Sequence, residues 1–288
     1  MNLPKFAHIT EVAPRDGLQS LPEIVPTDRK AELIGAIRQA GIRKIEITSF
    51  VHPKWVPQLA DAEDLLGRVE APNGVIYQGL VANEKGYDRA RQCPGITEVH
   101  YVIAATESLN RKNANMSIAE SMAQFLRIIE RARDDRLPVR ASIGVSFVCP
   151  YEKFVSEDAV IQLAREFVEL GAGEVAFADT IGAANPARVH HLLARARDLW
   201  PDRPLGIHLH DTRHMALANA FAALQAGIDR FDSSIGGLGG CPFSPGASGN
   251  IATERLVHML HEMEIDTGID YDRLKESARF AQSLLHRT

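Results

Sequence analysis

The sequence predicts a single-domain (β/α)8 barrel, and three observations carry that prediction. Short apolar runs rich in β-branched residues recur about every 30 residues, eight in all. Between them the apolar period lengthens from two to about 3.6, the spacing of an amphipathic helix. No GxGxxG turn follows the first run, where "EVAPRDGLQ" stands instead, which weakens the alternative of an open doubly wound sheet. Strands that alternate with helices pair in parallel through crossovers, and eight such units can close on themselves.

In order, the runs are "HITEV" from His8, "KIEITSF" from Lys44, "VIYQGLV" from Val75 and "EVHYVIAA" from Glu98. They continue with "VRASIGVSFV" from Val139, "EVAFADT" from Glu174, "LGIHLHD" from Leu205 and "RFDSSIG" from Arg230. Helical segments separate them. In "TDRKAELIGAIRQAG", Thr27 is read as the N-cap, Leu33, Ile34, Ile37 and Ala40 as one apolar face, and Gly41 as the stop. "SEDAVIQLAREFVELG" repeats the pattern, with Ser156 capping, Glu157 and Asp158 at the positive helix start, Val160, Leu163, Ala164 and Phe167 as the stripe, and Gly171 ending it. No Ser/Gly/Pro-rich linker or low-complexity tract divides the chain, so residues 1–288 read as one domain.

Composition narrows the function. The 288 residues are 45% hydrophobic and 24% charged, ordinary for a soluble globular protein. A net charge of −5 without blocks of like charge argues against nucleic-acid or membrane partners. Three cysteines, Cys93, Cys149 and Cys241, form no CxxC pair and fit reduced intracellular thiols. No secretory signal is visible, and no apolar stretch nears the ~20 residues of a membrane helix. A cytoplasmic location is expected.

In such a barrel the chemistry gathers at the carboxyl ends of the strands. Arg15 and Asp16 follow the first run, Glu46 lies in the second, Asp179 and Thr180 end the sixth, and His208, His210 and Asp211 close the seventh. The eighth leads into "GGLGGCPFSPGASGN", a long glycine-rich loop carrying Cys241 and Asn250. Residues i and i+2 of a strand face the same way, so His208 and His210 point together. Two converging imidazoles with a carboxylate such as Asp16 suit a divalent metal. Cys241, in a lid-like loop, is a candidate acid/base, whereas Cys93 and Cys149 are assigned to structure. Arg15 is either an ion-pair partner of Asp16 or Glu46 or a stabiliser of a developing enolate oxygen. Glu46 needs a partner if buried, and both orienting Arg15 and direct catalysis are open to it.

"EVAPRDGLQ", "IEITSFVHPKWVPQ", "CPYE", "FADTIG", "HLHDT" and "GGLGGCPFSPGASGN", in this order, resemble the 3-hydroxy-3-methylglutaryl-CoA lyase family of TIM-barrel metallolyases. The resemblance runs from about Pro4 to near the C-terminus, and its most specific piece is the cysteine loop. It implies Asp16, His208, His210 and Asn250 as ligands of Mg2+ or Mn2+, Arg15 near the thioester carbonyl, and Cys241 as acid/base. It further implies Glu46 and Asp179 as polar partners in the pocket, and Ser49, Tyr151 and Thr180 as substrate-binding positions. An acyl-CoA substrate and a homodimer are implied too. The basic stretch "NRKN" from Asn110 is a candidate for the CoA phosphates.

The implied reaction is a retro-Claisen cleavage into acetyl-CoA and acetoacetate. It must deprotonate a tertiary alcohol, break a carbon–carbon bond and carry the charge of an enolate. Asp179 and His208 are both candidates for the hydroxyl proton. Two departures stand out. His214 occupies a position where the family commonly has glycine, and Arg213 one where an aromatic or serine is usual; they raise a lyase for another 3-hydroxy-acyl-CoA as an alternative. The end "SLLHRT" lacks a cysteine-bearing tail, which fits a cytosolic bacterial protein or a shortened chain. A condensing transferase of the synthase type and a non-catalytic barrel are the other readings, the first opposed by the cysteine loop, the second by the intact ligand set.

Overall fold

The eight apolar runs pair edge to edge. In the computed structural model, which describes residues 3–239 and 249–284, they form β1 (His8–Glu11), β2 (Lys44–Ser49), β3 (Ile76–Val81), β4 (Glu98–Ala104), β5 (Val139–Gly144), β6 (Glu174–Asp179), β7 (Leu205–Leu209) and β8 (Arg230–Ser233). Each strand pairs in parallel with the next and β8 pairs with β1, closing the barrel. No helix among the described residues is long and apolar enough to cross a membrane.

Alternation decides which residues form the core. Ile45 and Ile47 of β2, Val99 and Tyr101 of β4, and Val175 and Phe177 of β6 face outward and are buried under the helices. The helical stripes meet them there, and Phe125 packs edge-on against Phe167 at 4.7 Å between ring centroids. The apolar core is therefore a sleeve between sheet and helices. The interior of the barrel is polar instead of filled with branched apolar side chains. Contacts across the bore show this: Arg140 of β5 donates to Asp232 of β8 at 2.7 Å, and Lys44 of β2 reaches Glu174 of β6 at 3.1 Å.

Three local expectations are corrected. Thr27 is the first residue of its helix (Thr27–Gln39) and does not cap it; Pro26 holds the cap position, and the Thr27 hydroxyl donates instead to Asp61 at 2.7 Å. Ser156 stands at the N-cap of its helix (Glu157–Leu170), but its side chain makes no capping hydrogen bond, while Gly171 ends the helix in the left-handed conformation as expected. The fifth run does not extend through Val148. Val145 adopts φ +50°, ending β5, and Val148–Cys149 then pairs antiparallel with Lys153–Phe154 in a small hairpin.

Candidate active site

Directly after β1, "APRDG" (Ala13–Gly17) forms a π-helical turn, a wider winding often found at functional sites. Gly17 is needed there, since a Cβ would lie 2.8 Å from that of Leu238. The turn puts the consecutive residues Arg15 and Asp16 on the rim together. Across the bore, His208 on β7 and His210 just past its end bring their rings within 5.1 Å of each other. One ligand atom from each of Asp16, His208 and His210 lies within 4.8 Å of the others.

Asn250 completes the group. The segment after the cysteine loop returns along the end of β7, with Asp211 N donating to Gly249 O at 2.8 Å and Ile251 N to Leu209 O at 2.9 Å. Asn250 Nδ2 donates to Asp16 Oδ2 at 2.7 Å and to Leu238 O at 3.1 Å, which fixes the amide. Among the described residues its Oδ1 is buried without a hydrogen-bond partner, as is His210 Nδ1. Orphaned buried polar atoms are costly, and a cation among a carboxylate, two imidazoles and an amide oxygen resolves that cost. The protonation states of Asp16 and His210 agree, while burial opposes charge on His208 but its bond to Asp232 raises it above the ordinary value. Burial opposes charge on Asp16, yet Arg15, His208 and His210 together hold its carboxyl below the usual range. Burial, then neighbouring His208, depress His210 to about 4, so it is neutral and able to bind a metal.

Arg15 is clamped from two sides. Its Nη1 donates to Asp16 Oδ1 at 2.5 Å, and its Nε and Nη2 both lie 2.6 Å from Glu46 Oε2. Guanidinium has five N–H groups, so these contacts leave one on each terminal nitrogen for a ligand oxygen. Glu46, wholly buried, thus orients Arg15.

Sequence reasoning missed Asp232, Arg140 and His100. Asp232 Oδ2 lies 3.2 Å from His208 Nδ1, and its other oxygen accepts from Arg140 at 2.7 Å; Arg140 also sits 2.6 Å from Glu174. A carboxylate behind a metal-binding histidine fixes its tautomer and ring orientation. The available signal was polar residues at i and i+2 inside strands: Glu98 and His100, Arg140 and Ser142, Arg230 and Asp232.

The remaining predicted residues fall at the rim with mixed roles. Asp179 is buried, and its two oxygens accept from Ala183 N and Ala184 N at 3.0 Å each, anchoring the turn after β6. Burial pushes its carboxyl up to about 6, partly offset by those bonds and by His208 and Arg213. Ser49 Oγ accepts from Val51 N at 3.2 Å and Thr180 Oγ1 from Val145 N at 2.9 Å. Tyr151, at the tip of the hairpin, lies under Lys112, 5.0 Å from ammonium to ring centroid. Asn110, first residue of the basic stretch, is buried and bonds Ala104 N, Met116 O and Ser121 Oγ, a structural role. The His214 side chain is 78% exposed, 4.0 Å from Asp211. Cys93 and Cys149 are free and buried, as expected of structural thiols. Cys241 lies outside the described residues.

A closed parallel barrel whose carboxyl-end rim joins a cation-binding set to a clamped arginine is the class of a rim-site barrel enzyme. The family model described as HMGL-like matches residues 7–281. A hydroxymethylglutaryl-CoA lyase of Bacillus subtilis is 44% identical over 282 residues, 98% of this chain and 94% of that protein. The crystal structure of the HMG-CoA lyase of Bacillus subtilis superposes with a TM-score of 0.96 at 43% identity, covering 99% of this chain and 95% of that one. An HMG-CoA lyase from Acinetobacter baumannii in complex with coenzyme A and 3-methylmalate gives 0.92 at 40% identity, covering 98% and 92%. The chain belongs to the HMGL-like family.

Proposed function

We propose that this chain is a divalent-metal-dependent carbon–carbon lyase that splits 3-hydroxy-3-methylglutaryl-CoA into acetyl-CoA and acetoacetate. The observation that carries the reading is the rim constellation in which the cation-binding set and the clamped Arg15 share Asp16. The relatives bearing that activity in their names support it over nearly the whole chain, and so disfavour a condensing transferase.

Asp16, His208, His210 and Asn250 would hold Mg2+ or Mn2+. When bound, the cation supplies Lewis acidity toward the substrate hydroxyl and acyl oxygens. Arg15 directs its two remaining N–H groups at the thioester oxygen and offsets enolate charge, worth about 3 kcal/mol for one such donor. Asp179 takes the hydroxyl proton in preference to His208, because His208 has one nitrogen on Asp232 and the other committed to the ligand set. Ser49 and Thr180 each accept from backbone N–H, which leaves each hydroxyl proton to donate to an acyl oxygen. Cys241 delivers the proton to the enolate carbon. Tyr151 with Lys112 over its ring forms the side of the rim where the CoA moiety passes.

Residues 1–288 act in this reading as one lyase domain, cytoplasmic and paired as a homodimer, with products that belong to leucine catabolism and ketone-body formation. A lyase for another 3-hydroxy-acyl-CoA is favoured by one observation alone, the reach of the Arg213 charge to Asp179. The test is cleavage of 3-hydroxy-3-methylglutaryl-CoA by reduced protein with Mg2+, following acetyl-CoA, with and without chelator. Turnover on the order of 1–1,000 per second that chelation abolishes is the expected result. A folded, metal-loaded sample without turnover would overturn the named substrate and move the test to other 3-hydroxy-acyl-CoA esters.

A further inference from the structure

Inside the barrel, one imidazole stands behind the arginine clamp. His100 lies on β4, and its alternation with Glu98 turns it into the bore. Its Nδ1 is 2.6 Å from Glu46 Oε1, the carboxylate oxygen that Arg15 does not use, and its Nε2 is 2.6 Å from Ser142 Oγ on β5. All three side chains are buried. A carboxylate can only accept, so Nδ1 carries the proton and donates to Glu46. Nε2 is then the acceptor, and the Ser142 hydroxyl must donate to it. The tautomer, and with it the direction of every bond in the row from Ser142 to His100 to Glu46 to Arg15, is fixed by chemistry. Burial above all keeps the ring neutral, despite the charge on Glu46.

We propose that His100 is a positioning residue for the reaction, holding Glu46 so that the Arg15 guanidinium meets the developing oxyanion in a fixed plane. Glu46 reaches Arg15 through a single oxygen, Oε2. Without a donor on Oε1, the carboxylate can turn about its last torsion to satisfy that oxygen, and the guanidinium turns with it. A misplacement of about 1 Å in such a group can cost on the order of 100-fold in rate. Because the charge that Arg15 offsets develops only as the carbon–carbon bond breaks, the loss falls mainly on kcat, with KM changing little. The inference rests on the role given to Arg15 above.

Two measurements separate this proposal from that reading. Histidine-detected 15N NMR of the whole protein, with His100→Asn used to assign the signal, should show a neutral ring protonated on Nδ1. A ring protonated on Nε2 instead would overturn the proposal whatever the substrate proves to be. Kinetically, His100→Leu should lower kcat roughly 10- to 100-fold with KM and bound metal within about threefold of wild type. His100→Asn, whose Nδ2 can replace Nδ1 as the donor to Glu46, should recover most of that loss. An asparagine variant as slow as the leucine variant, or a leucine variant at the wild-type rate, would sink it. If His100→Leu does not fold, Ser142→Ala, which removes only the hydroxyl that donates to Nε2 and steadies the ring, should show a smaller drop in kcat alone, and a wild-type kcat there would overturn the proposal. Absence of turnover in the wild type would strike the proposed reaction and leave the tautomer result standing.

Discussion

The two ends of the barrel interior are built from the same alternation of strand residues, yet they behave differently. Toward the amino ends of the strands, Lys44 lies 2.8 Å from Glu98 and 3.1 Å from Glu174, and Arg140 lies 2.6 Å from Glu174 and 2.7 Å from Asp232. Adding Arg230, 3.8 Å from Glu174, gives Lys44, Arg140 and Arg230 against Glu98, Glu174 and Asp232, a balanced set of charges. At the rim, Asp16 and Glu46 share one cation, Arg15, and the orphaned atoms are an imidazole nitrogen and an amide oxygen beside anionic Asp16. A cavity of about 460 Å3 opens at the opposite, amino-end mouth, lined in part by His8, Lys44, Glu98, Glu174 and Arg230. Space alone therefore does not mark the site. The surplus of negative charge beside convergent ligand atoms does.

The comparison is broken most directly by removing the centre of the balanced end. Arg140→Met would leave Glu174 and Asp232 buried with one partner removed from each. Breaking one side of a buried ion network typically costs about 3–5 kcal/mol, which for a domain of this size lowers Tm by on the order of 10 °C. Thermal unfolding checks this. A shift of only a degree or two would mean that water in the bore already solvates these carboxylates, and the amino end would no longer count as balanced by its own side chains.

How much of this was legible beforehand follows the same division. The eight strands were read from periodicity because alternation is local. His208, His210 and Asp16 were readable because the barrel rule assigns strand ends to one rim. Asn250 could be placed only by resemblance, since it reaches the ligand set by pairing with the end of β7 after a long loop. Asp232, Arg140 and His100 were passed over although their alternation was in plain view. Each has a partner two or three strands away around the barrel, Asp232 and Arg140 in each other and His100 in Glu46, so their meaning exists only once the sheet closes. Ser49 and Thr180 looked like pocket residues, and the structure adds that their oxygens first serve backbone N–H groups.

Glu11 sharpens the contrast between paired and unpaired carboxylates. It is buried where the barrel closes and accepts from Ala13 N and Ile235 N at 2.9 Å each and from Thr253 Oγ1 at 2.7 Å, but has no cationic partner among the described residues. Asp232, Glu174 and Glu46, which do, are all held below their ordinary values against burial. Burial pushes Glu11 up to about 7. With its folded value above its unfolded one, its contribution to stability is full below about pH 4.5 and is lost as pH rises through about 7, a change of about 3 kcal/mol. Glu11→Gln, which keeps the shape, should therefore be flatter than wild type between pH 5 and 8, gaining relative stability toward pH 8. Parallel denaturation curves across that range would refute the assignment.

Asp232 is the one residue that belongs to both ends, touching Arg140 below and His208 above. Asp232→Asn keeps an acceptor for Arg140 and removes the charge behind His208. Loss of such an outer carboxylate typically weakens metal affinity 10- to 100-fold. Titration with Mn2+ followed by electron paramagnetic resonance should show this weakening while the protein remains folded. Unchanged affinity would mean that Asp232 serves the lower network alone, and that the two ends are independent.

The smallest effect lies outside the bore, where the rim meets solvent. His214 adopts φ +56°, a left-handed conformation unfavourable to a residue with a Cβ, and its side chain is 78% exposed. Glycine takes that conformation without strain, which gives a physical reason for the glycine that the family resemblance implies at this position. His214→Gly should raise stability by about 1 kcal/mol, a Tm gain of roughly 2–4 °C, and leave kcat and KM unchanged. Unchanged kinetics would confine this departure to the backbone and leave the surplus of negative charge beside the ligand set as the feature that matters. A shift in KM or in preference among 3-hydroxy-acyl-CoA esters would instead extend the site outward past β7 and place His214 against the acyl group.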